Sequence, residues 1–131
     1  MTTAPTFSKE ERIVSKQLIE TLFEKSNSHS LAAYPLRAVF VKTEQRKECA
    51  PVQLLISVPK SRFKHAVDRN RVKRQIREAY RKNKSLLDSA AEEGKMLLIA
   101  IIWLTDKHLA SADVEKKTIS ILKQIAKSKH E

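Results

Sequence analysis

Residues 55–81 read LISVPKSRFKHAVDRNRVKRQIREAYR, a strand-like apolar start that passes through a proline into a long basic segment. From Lys60 to Lys84, eleven of 25 residues are Lys or Arg and two are acidic, so this segment carries +9 of the formal net charge of +11. The remainder of the chain is close to neutral. A positive charge that is concentrated in one segment indicates contact with a polyanion.

The basic segment has a helical periodicity from about Arg69 to Leu87. At about 100° per residue, one arc of this helix is apolar and the opposite arc is polar and basic. The apolar arc contains Val72, Ile76, Ala79, Tyr80 and Leu87. The opposite arc, called the basic face below, contains Asn70, Lys73, Arg74, Arg77, Arg81 and Lys84. Guanidinium groups bind phosphates bidentately and stay charged at cellular pH, so this arc predicts nucleic-acid binding.

Length and composition indicate one domain. The 131 residues suit a single compact unit, and 41% hydrophobic residues are enough for a core. We expect residues 1–6 to form a flexible tail and residues 7–131 to form the domain. The lone Cys49 excludes an internal disulfide framework. No secretory signal is visible, and the longest apolar run, residues 96–104, is too short to span a membrane, so we expect a cytoplasmic protein.

The hydrophobic pattern predicts a sheet with helices before, within and after it. The predicted elements are a helix that begins at Ser8 or Ser15 and ends near Lys25, an extended piece within 27–34, strands over Leu36–Thr43 and Val52–Val58, the basic helix, a strand over Met96–Trp103 and a last helix. Asp68 is the predicted N-cap of the basic helix and Ser111 that of the last helix. The inner side of the last helix contains Val114, Thr118, Ile121, Leu122 and Ile125. This order predicts a single α+β or α/β layer built on one sheet.

The sequence contains no pattern that is typical of a protein active site. His29, His65, His108 and His130 have no spacing that places two of them on one helical face, and none forms a ligand pattern with Cys49. Gly94 is the only glycine, so a glycine-rich phosphate loop is excluded. If the protein serves an enzyme, we expect another component to carry the chemistry.

Residues 55–81 resemble the motif of the bacterial ribonuclease P protein component. In that motif a strand ending in Ser-Val is followed by basic residues, an Ala-Val step and Arg-Asn-Arg-x-Lys-Arg at the start of a helix. Phe7, Arg12, Ile13 and Phe23 look like the N-terminal pattern of the family, and the likeness covers nearly the whole chain. It implies an αβββαβα fold whose βαβ crossover is left-handed, against the general preference.

The resemblance also implies a function. Members of the family are non-catalytic subunits of a ribonucleoprotein endonuclease that removes the 5′ leader from precursor tRNA. The RNA subunit and its bound magnesium ions perform the hydrolysis, and the protein alone binds no cofactor. The implied partners are therefore the catalytic RNA subunit and the leader of precursor tRNA, with no membrane involved.

Two RNA-binding surfaces follow from the resemblance. The one that contacts the RNA subunit contains Lys60, Arg62, Arg69, Asn70, Arg71, Lys73, Arg74, Arg77 and Arg81. The other is a cleft between the first helix and the sheet that receives the single-stranded leader, and its residues are Ile19, Phe23, Phe40 and Ser57. Ile19 replaces an aromatic residue of many members, and the sequence leaves open whether Phe40 or Val39 faces the cleft. Pro59 stands where members commonly have a small polar residue, and residues 61–64 contain one residue more than in shorter members, so we expect the turn between strand and helix to differ locally.

Two other functions compete with this one. A different nucleic-acid-binding protein, such as a small ribosomal protein or a helix-turn-helix regulator, would share the charge, but a regulator needs two closely joined helices before its recognition helix. The second competing function is that of an interaction protein that docks onto an acidic partner or an anionic membrane surface. Membrane insertion would need large apolar groups beside Arg77, Arg81 and Lys84, and Tyr80 is the only one there.

Overall fold

The computed structural model describes residues 12, 19–20, 22–24, 28–44, 51–90 and 94–127. The elements within these ranges are β1 (His29–Ala33), β2 (Leu36–Glu44), β3 (Val52–Ser57), α1 (Ala66–Asn83), a 3₁₀ helix (Lys84–Ala90), β4 (Lys95–Trp103) and α2 (Ser111–Lys127). The predicted strands, the basic helix and the last helix are all confirmed, with boundaries that shift by a few residues. The basic helix is α1.

The first predicted helix lies mainly outside the described residues, as does the predicted tail 1–6. Ile19, Glu20 and Leu22 have helical backbone, which agrees with the prediction at these three positions. Arg12 forms an isolated parallel bridge with Leu54 of β3. Arg12 therefore lies beside β3, the strand at one edge of the sheet.

The four strands form one sheet in the order β1-β2-β4-β3. β2 is antiparallel to both β1 and β4, whereas β3 is parallel to β4. Parallel neighbours require a crossover, and here α1 and the 3₁₀ helix lie in the connection from β3 to β4. The mixed α+β fold is thereby confirmed, and the left-handed crossover stays a prediction.

Alternation along the strands gives the sheet two apolar faces. The face that packs against α1 and α2, called the helical face, contains Leu36, Ala38, Phe40, Leu54, Leu97, Ile99, Ile101 and Trp103. The opposite face, called the cleft face, contains Val39, Val41, Met96, Leu98 and Ala100, with Leu55 and Ile102 partly buried beside them. Leu22 is buried on the cleft face and Ile19 packs against it, so the helical residues before β1 cover part of this second face.

Both helices bury the stripe that periodicity predicted. On α1 the buried residues are Val72, Ile76, Ala79 and Tyr80, and on α2 they are Val114, Thr118, Ile121, Leu122 and Ile125. Leu87 is also buried, although it belongs to the 3₁₀ helix. The Thr118 hydroxyl donates to the carbonyl of Val114 at 2.9 Å, which satisfies the polar atom of this buried residue. None of the described helices is long and apolar enough to cross a membrane.

The predicted helix caps are wrong at both helices. α1 begins at Ala66 with His65 in the N-cap position, and no side chain caps it. The amide of Asp68 donates to the His65 carbonyl, so Asp68 already lies in the first turn. At α2 the Ala110 carbonyl accepts from the amides of Asp113 and Val114, so Ser111 is the first helical residue. The hydroxyl of Ser111 accepts instead from Gln75 Nε2 at 3.1 Å, a contact between helices.

Candidate RNA-binding surface

The solvent-facing side of α1 carries the cations that the sequence placed there. Asn70, Arg71 and Arg74 are exposed, while Lys73 and Arg77 are partly buried at its edge. In the described parts of the chain, Arg71, Lys73, Arg74 and Arg77 form no ion pair. Unpaired guanidinium and ammonium groups on one helix attract the closely spaced phosphates of a nucleic acid.

Arg81 differs from the other arginines of the basic face because it is paired. Its Nε donates to Glu78 Oε2 at 3.1 Å, and its Nη2 contacts Glu78 Oε1. The hydrogen bond from Arg81 lowers the pKa of the Glu78 carboxyl, and the same bond raises the pKa of Arg81. A carboxylate three residues earlier on α1 therefore partly neutralises Arg81.

Arg69 faces the loop that precedes α1. Its Nη1 donates to the carbonyls of Phe63 at 2.8 Å and Lys64 at 3.0 Å. A guanidinium has five N–H donors, so Nε and Nη2 retain three for other partners. Arg69 therefore ties the loop to the helix and can still bind phosphate.

The loop between β3 and α1 presents further cations. The amides of Arg62 and Phe63 donate to the Pro59 carbonyl at 3.0 and 3.4 Å, which closes the turn. Lys60, Arg62 and Lys64 are exposed, whereas Phe63 is buried. The predicted residues of the first surface thus lie on one continuous stretch of loop and helix.

The second predicted surface lies on the cleft face. Ser57 shares this face with Leu55 by strand alternation and pairs in register with Ile102. Ile19 is partly buried against the same face, and Phe23 is 44% exposed. An exposed phenyl ring next to Leu22, which is buried on the cleft face, has the form of a stacking site for an unpaired base.

Phe40 does not belong to this surface. It is 2% exposed and packs on the helical face, with its ring centroid 5.3 Å from that of His29. The period of two along β2 places Val39 on the cleft face instead. Of the two alternatives that the sequence left open, Val39 therefore lines the cleft, and the assignment of Phe40 is corrected.

Sequence reasoning missed Arg37 on the cleft face. This exposed residue pairs in register with Ile102, which pairs in turn with Ser57, so the three occupy one row across the sheet. Arg37 Nε donates to Ser30 Oγ at 3.2 Å. The alternation that begins at Leu36 could have identified it, because it places residues 37 and 39 on the same face.

Comparison with known proteins places this chain in a family. The Ribonuclease P family model matches residues 7–126. The ribonuclease P protein component of Porphyromonas gingivalis is 39% identical over 129 residues, covering 96% of this chain and 92% of the relative. The corresponding component of Chlorobium phaeobacteroides is 33% identical over 123 residues, covering 87% and 83%.

Solved structures agree with the sequence comparison. The RNase P protein of Staphylococcus aureus superposes with a TM-score of 0.65 at 25% identity, covering 89% of this chain and 95% of that one. The RNase P protein from Thermotoga maritima has a TM-score of 0.66 at 22% identity, with 87% and 96% covered, and its likeness bears on the fold alone. Fold, motif and identity agree along most of the sequence, and the chain belongs to the ribonuclease P protein family.

Proposed function

We propose that this chain is the RNA-binding subunit of ribonuclease P and assists a catalytic RNA in removing the 5′ leader of precursor tRNA. The observation that carries the proposal is the row of unpaired cations on α1, Arg71, Lys73, Arg74 and Arg77, in a chain that belongs to this family. Such a helix binds the phosphate backbone by shape, since side chains do not read the deep groove of A-form RNA easily.

We assign the two surfaces to two RNAs. The loop and helix from Lys60 to Arg77 bind the RNA subunit, and the cleft face binds the single-stranded leader. Support for the second assignment comes from Phe23, which is exposed although its neighbour Leu22 is fully buried. The row formed by Arg37, Ile102 and Ser57 supplies a charge, an apolar surface and a hydroxyl to the same strand of RNA.

The protein subunit itself is non-catalytic in this proposal. The side chains assigned to the RNA subunit from Lys60 to Arg77 present guanidinium, ammonium and amide groups, which hold phosphates and do not take a proton from water at neutral pH. Magnesium prefers carboxylate, phosphate and water oxygens, so these cationic residues do not fit a magnesium site. The ion belongs with the RNA subunit, and no step is routed through the protein. The proposed location of the complex is the cytoplasm.

Reconstitution tests the function directly. The full chain is mixed with a bacterial ribonuclease P RNA at magnesium concentrations too low for the RNA alone, and cleavage of precursor tRNA is followed. We expect the mixture to release the 5′ leader and the RNA-free protein to release none. Processing by the protein alone would contradict the non-catalytic role, and no gain over the RNA alone would contradict the proposed function.

A further inference from the structure

Three contacts meet at Phe63, in the middle of the basic loop. Its ring stacks on His108, with centroids 4.6 Å apart and planes inclined by 16°. Its carbonyl accepts from Arg69 Nη1, and its amide lies in the turn closed by Pro59. Phe63 is 8% exposed although Arg62 and Lys64 on either side are exposed. Phe63 therefore anchors a loop whose cations, Lys60, Arg62 and Lys64, face solvent.

His108 holds that anchor from another part of the chain. It lies in the connection between β4 and α2, and its Nε2 is 3.0 Å from Asp68 Oδ1 in the first turn of α1. Because the carboxylate only accepts, Nε2 carries the proton that is shared in this bond. The imidazole is thus held between the Asp68 carboxylate and the Phe63 ring. A second bond, from Gln75 Nε2 to the Leu109 carbonyl at 2.9 Å, fixes the same connection to α1.

We infer that His108 is a positioning residue for RNA binding, acting through Phe63 on the cations of the basic loop. The inference rests on the proposed function, because it requires Lys60 and Arg62 to bind phosphates of the RNA subunit. An anchored loop loses less conformational freedom when RNA binds, so its cations contribute more to affinity. The loop contains no helix or strand, and the stack on His108 joins it to the connection before α2.

The test measures binding of the full chain to a bacterial ribonuclease P RNA across a salt series. We expect His108→Ala to weaken binding by about threefold to tenfold and to lower the slope of log affinity against log salt by up to about 0.9, the contribution of one phosphate contact. His108→Phe keeps a ring for the stack and should bind within about twofold of the wild type. His108→Gln keeps a donor for Asp68 without the ring and should bind as weakly as His108→Ala. His29→Ala is the matched control, since His29 also touches a phenyl ring, far from the loop in sequence.

A double-mutant cycle separates positioning from general stability. In a background with Lys60→Ala and Arg62→Ala, the loss caused by His108→Ala should disappear, because the groups that it positions are gone. Thermal melts identify the temperature at which every variant is folded. An undiminished loss in that background, or full affinity in His108→Gln with a loss in His108→Phe, would overturn the inference. A wild-type chain that does not bind the RNA would overturn the proposed function and this inference together.

Discussion

The two helices of the helical layer share one apolar pattern and differ in their exposed chemistry. α1 and α2 are 18 and 17 residues long, and each buries a stripe at helical spacing against the same sheet face. The cations of α1 include Arg69, Arg71, Arg74, Arg77 and Arg81. Those of α2 are all lysines, and Lys116, Lys117, Lys123 and Lys127 are exposed. The comparison shows that the buried stripe determines the fold while the opposite side of each helix is free to determine binding.

The largest expected effect tests the feature that the two helices share, the buried apolar stripe. Ile76→Ala and Ile121→Ala each remove a fully buried side chain, one from each helix. Each substitution should lower the free energy of unfolding by about 2 to 5 kcal/mol, through lost transfer energy and the cavity left behind. Denaturant titration of both variants checks it. A cost below about 1 kcal/mol at only one site would show that the two helices do not contribute equally to the core.

The next prediction tests the feature in which the two helices differ, their exposed cations. Arg74→Ala combined with Arg77→Ala should reduce the salt slope of RNA binding by about 1.4 to 1.8, because each phosphate contact contributes about 0.7 to 0.9. Lys116→Ala combined with Lys123→Ala removes the same charge from α2 and should leave the slope nearly unchanged. Filter binding or fluorescence anisotropy across a salt series gives both slopes. Equal changes in the two variants would mean that net charge, and not the α1 surface, governs binding.

A substitution on the cleft face sharpens the comparison by leaving both helices intact. Phe23→Ala should weaken holoenzyme binding to precursor tRNA by about 1 to 3 kcal/mol, the range for one base on an aromatic platform. Mature tRNA has no leader, so its dissociation constant should hardly move. Ile19→Phe should tighten precursor binding modestly.

Dissociation constants for precursor and mature tRNA, measured at fixed salt and magnesium, check the cleft prediction. A loss of equal size for both RNAs in Phe23→Ala would remove the leader from this surface. A fall in thermal stability large enough to explain the loss would also contradict the prediction, since Phe23 would then be a structural residue.

The smallest expected effect concerns Arg81, which pairs with Glu78. Glu78→Gln removes the carboxylate that neutralises Arg81 and should raise the salt slope by at most about 0.9, one phosphate contact. Asp113→Asn on α2 removes the same charge elsewhere and is the control. Because the folded pKa of Glu78 lies below its ordinary value of 4.5, the pair stabilises the fold above that value. The stabilisation is lost as pH falls through the lowered pKa, so the thermal stabilities of variant and wild type should converge in acid.

Most of the fold could be predicted from the hydrophobic periodicity of the sequence. Every residue predicted for the inner sides of the two helices is buried, and Phe40, Tyr80 and Trp103 are core residues. The helix starts were wrong because a cap depends on local hydrogen bonds: Asp68 has capping chemistry, yet it pairs with His108, 40 residues away. Phe40 was misplaced for a related reason, since only the registered strand shows which face residues 39 and 40 occupy.

The chemistry of the candidate site could be predicted from the sequence, but the hydrogen-bond and ion-pair partners of its arginines could not. The cations from Lys60 to Arg77 lie where the motif placed them, but sequence alone did not reveal that Arg81 is paired or that Arg69 bonds the loop carbonyls. Charge can be read from composition. A partner at i−3 or across a loop depends on rotamers, which the pattern does not contain.

The position of β4 between β2 and β3 has a mechanical consequence. Its side chains alternate between the core beneath α1 and the core of the cleft face, so one strand is built into both. Neither surface can shift relative to the other without repacking this strand. If both proposed RNA surfaces are occupied at once, the two RNA segments must match a separation that the sheet sets in advance.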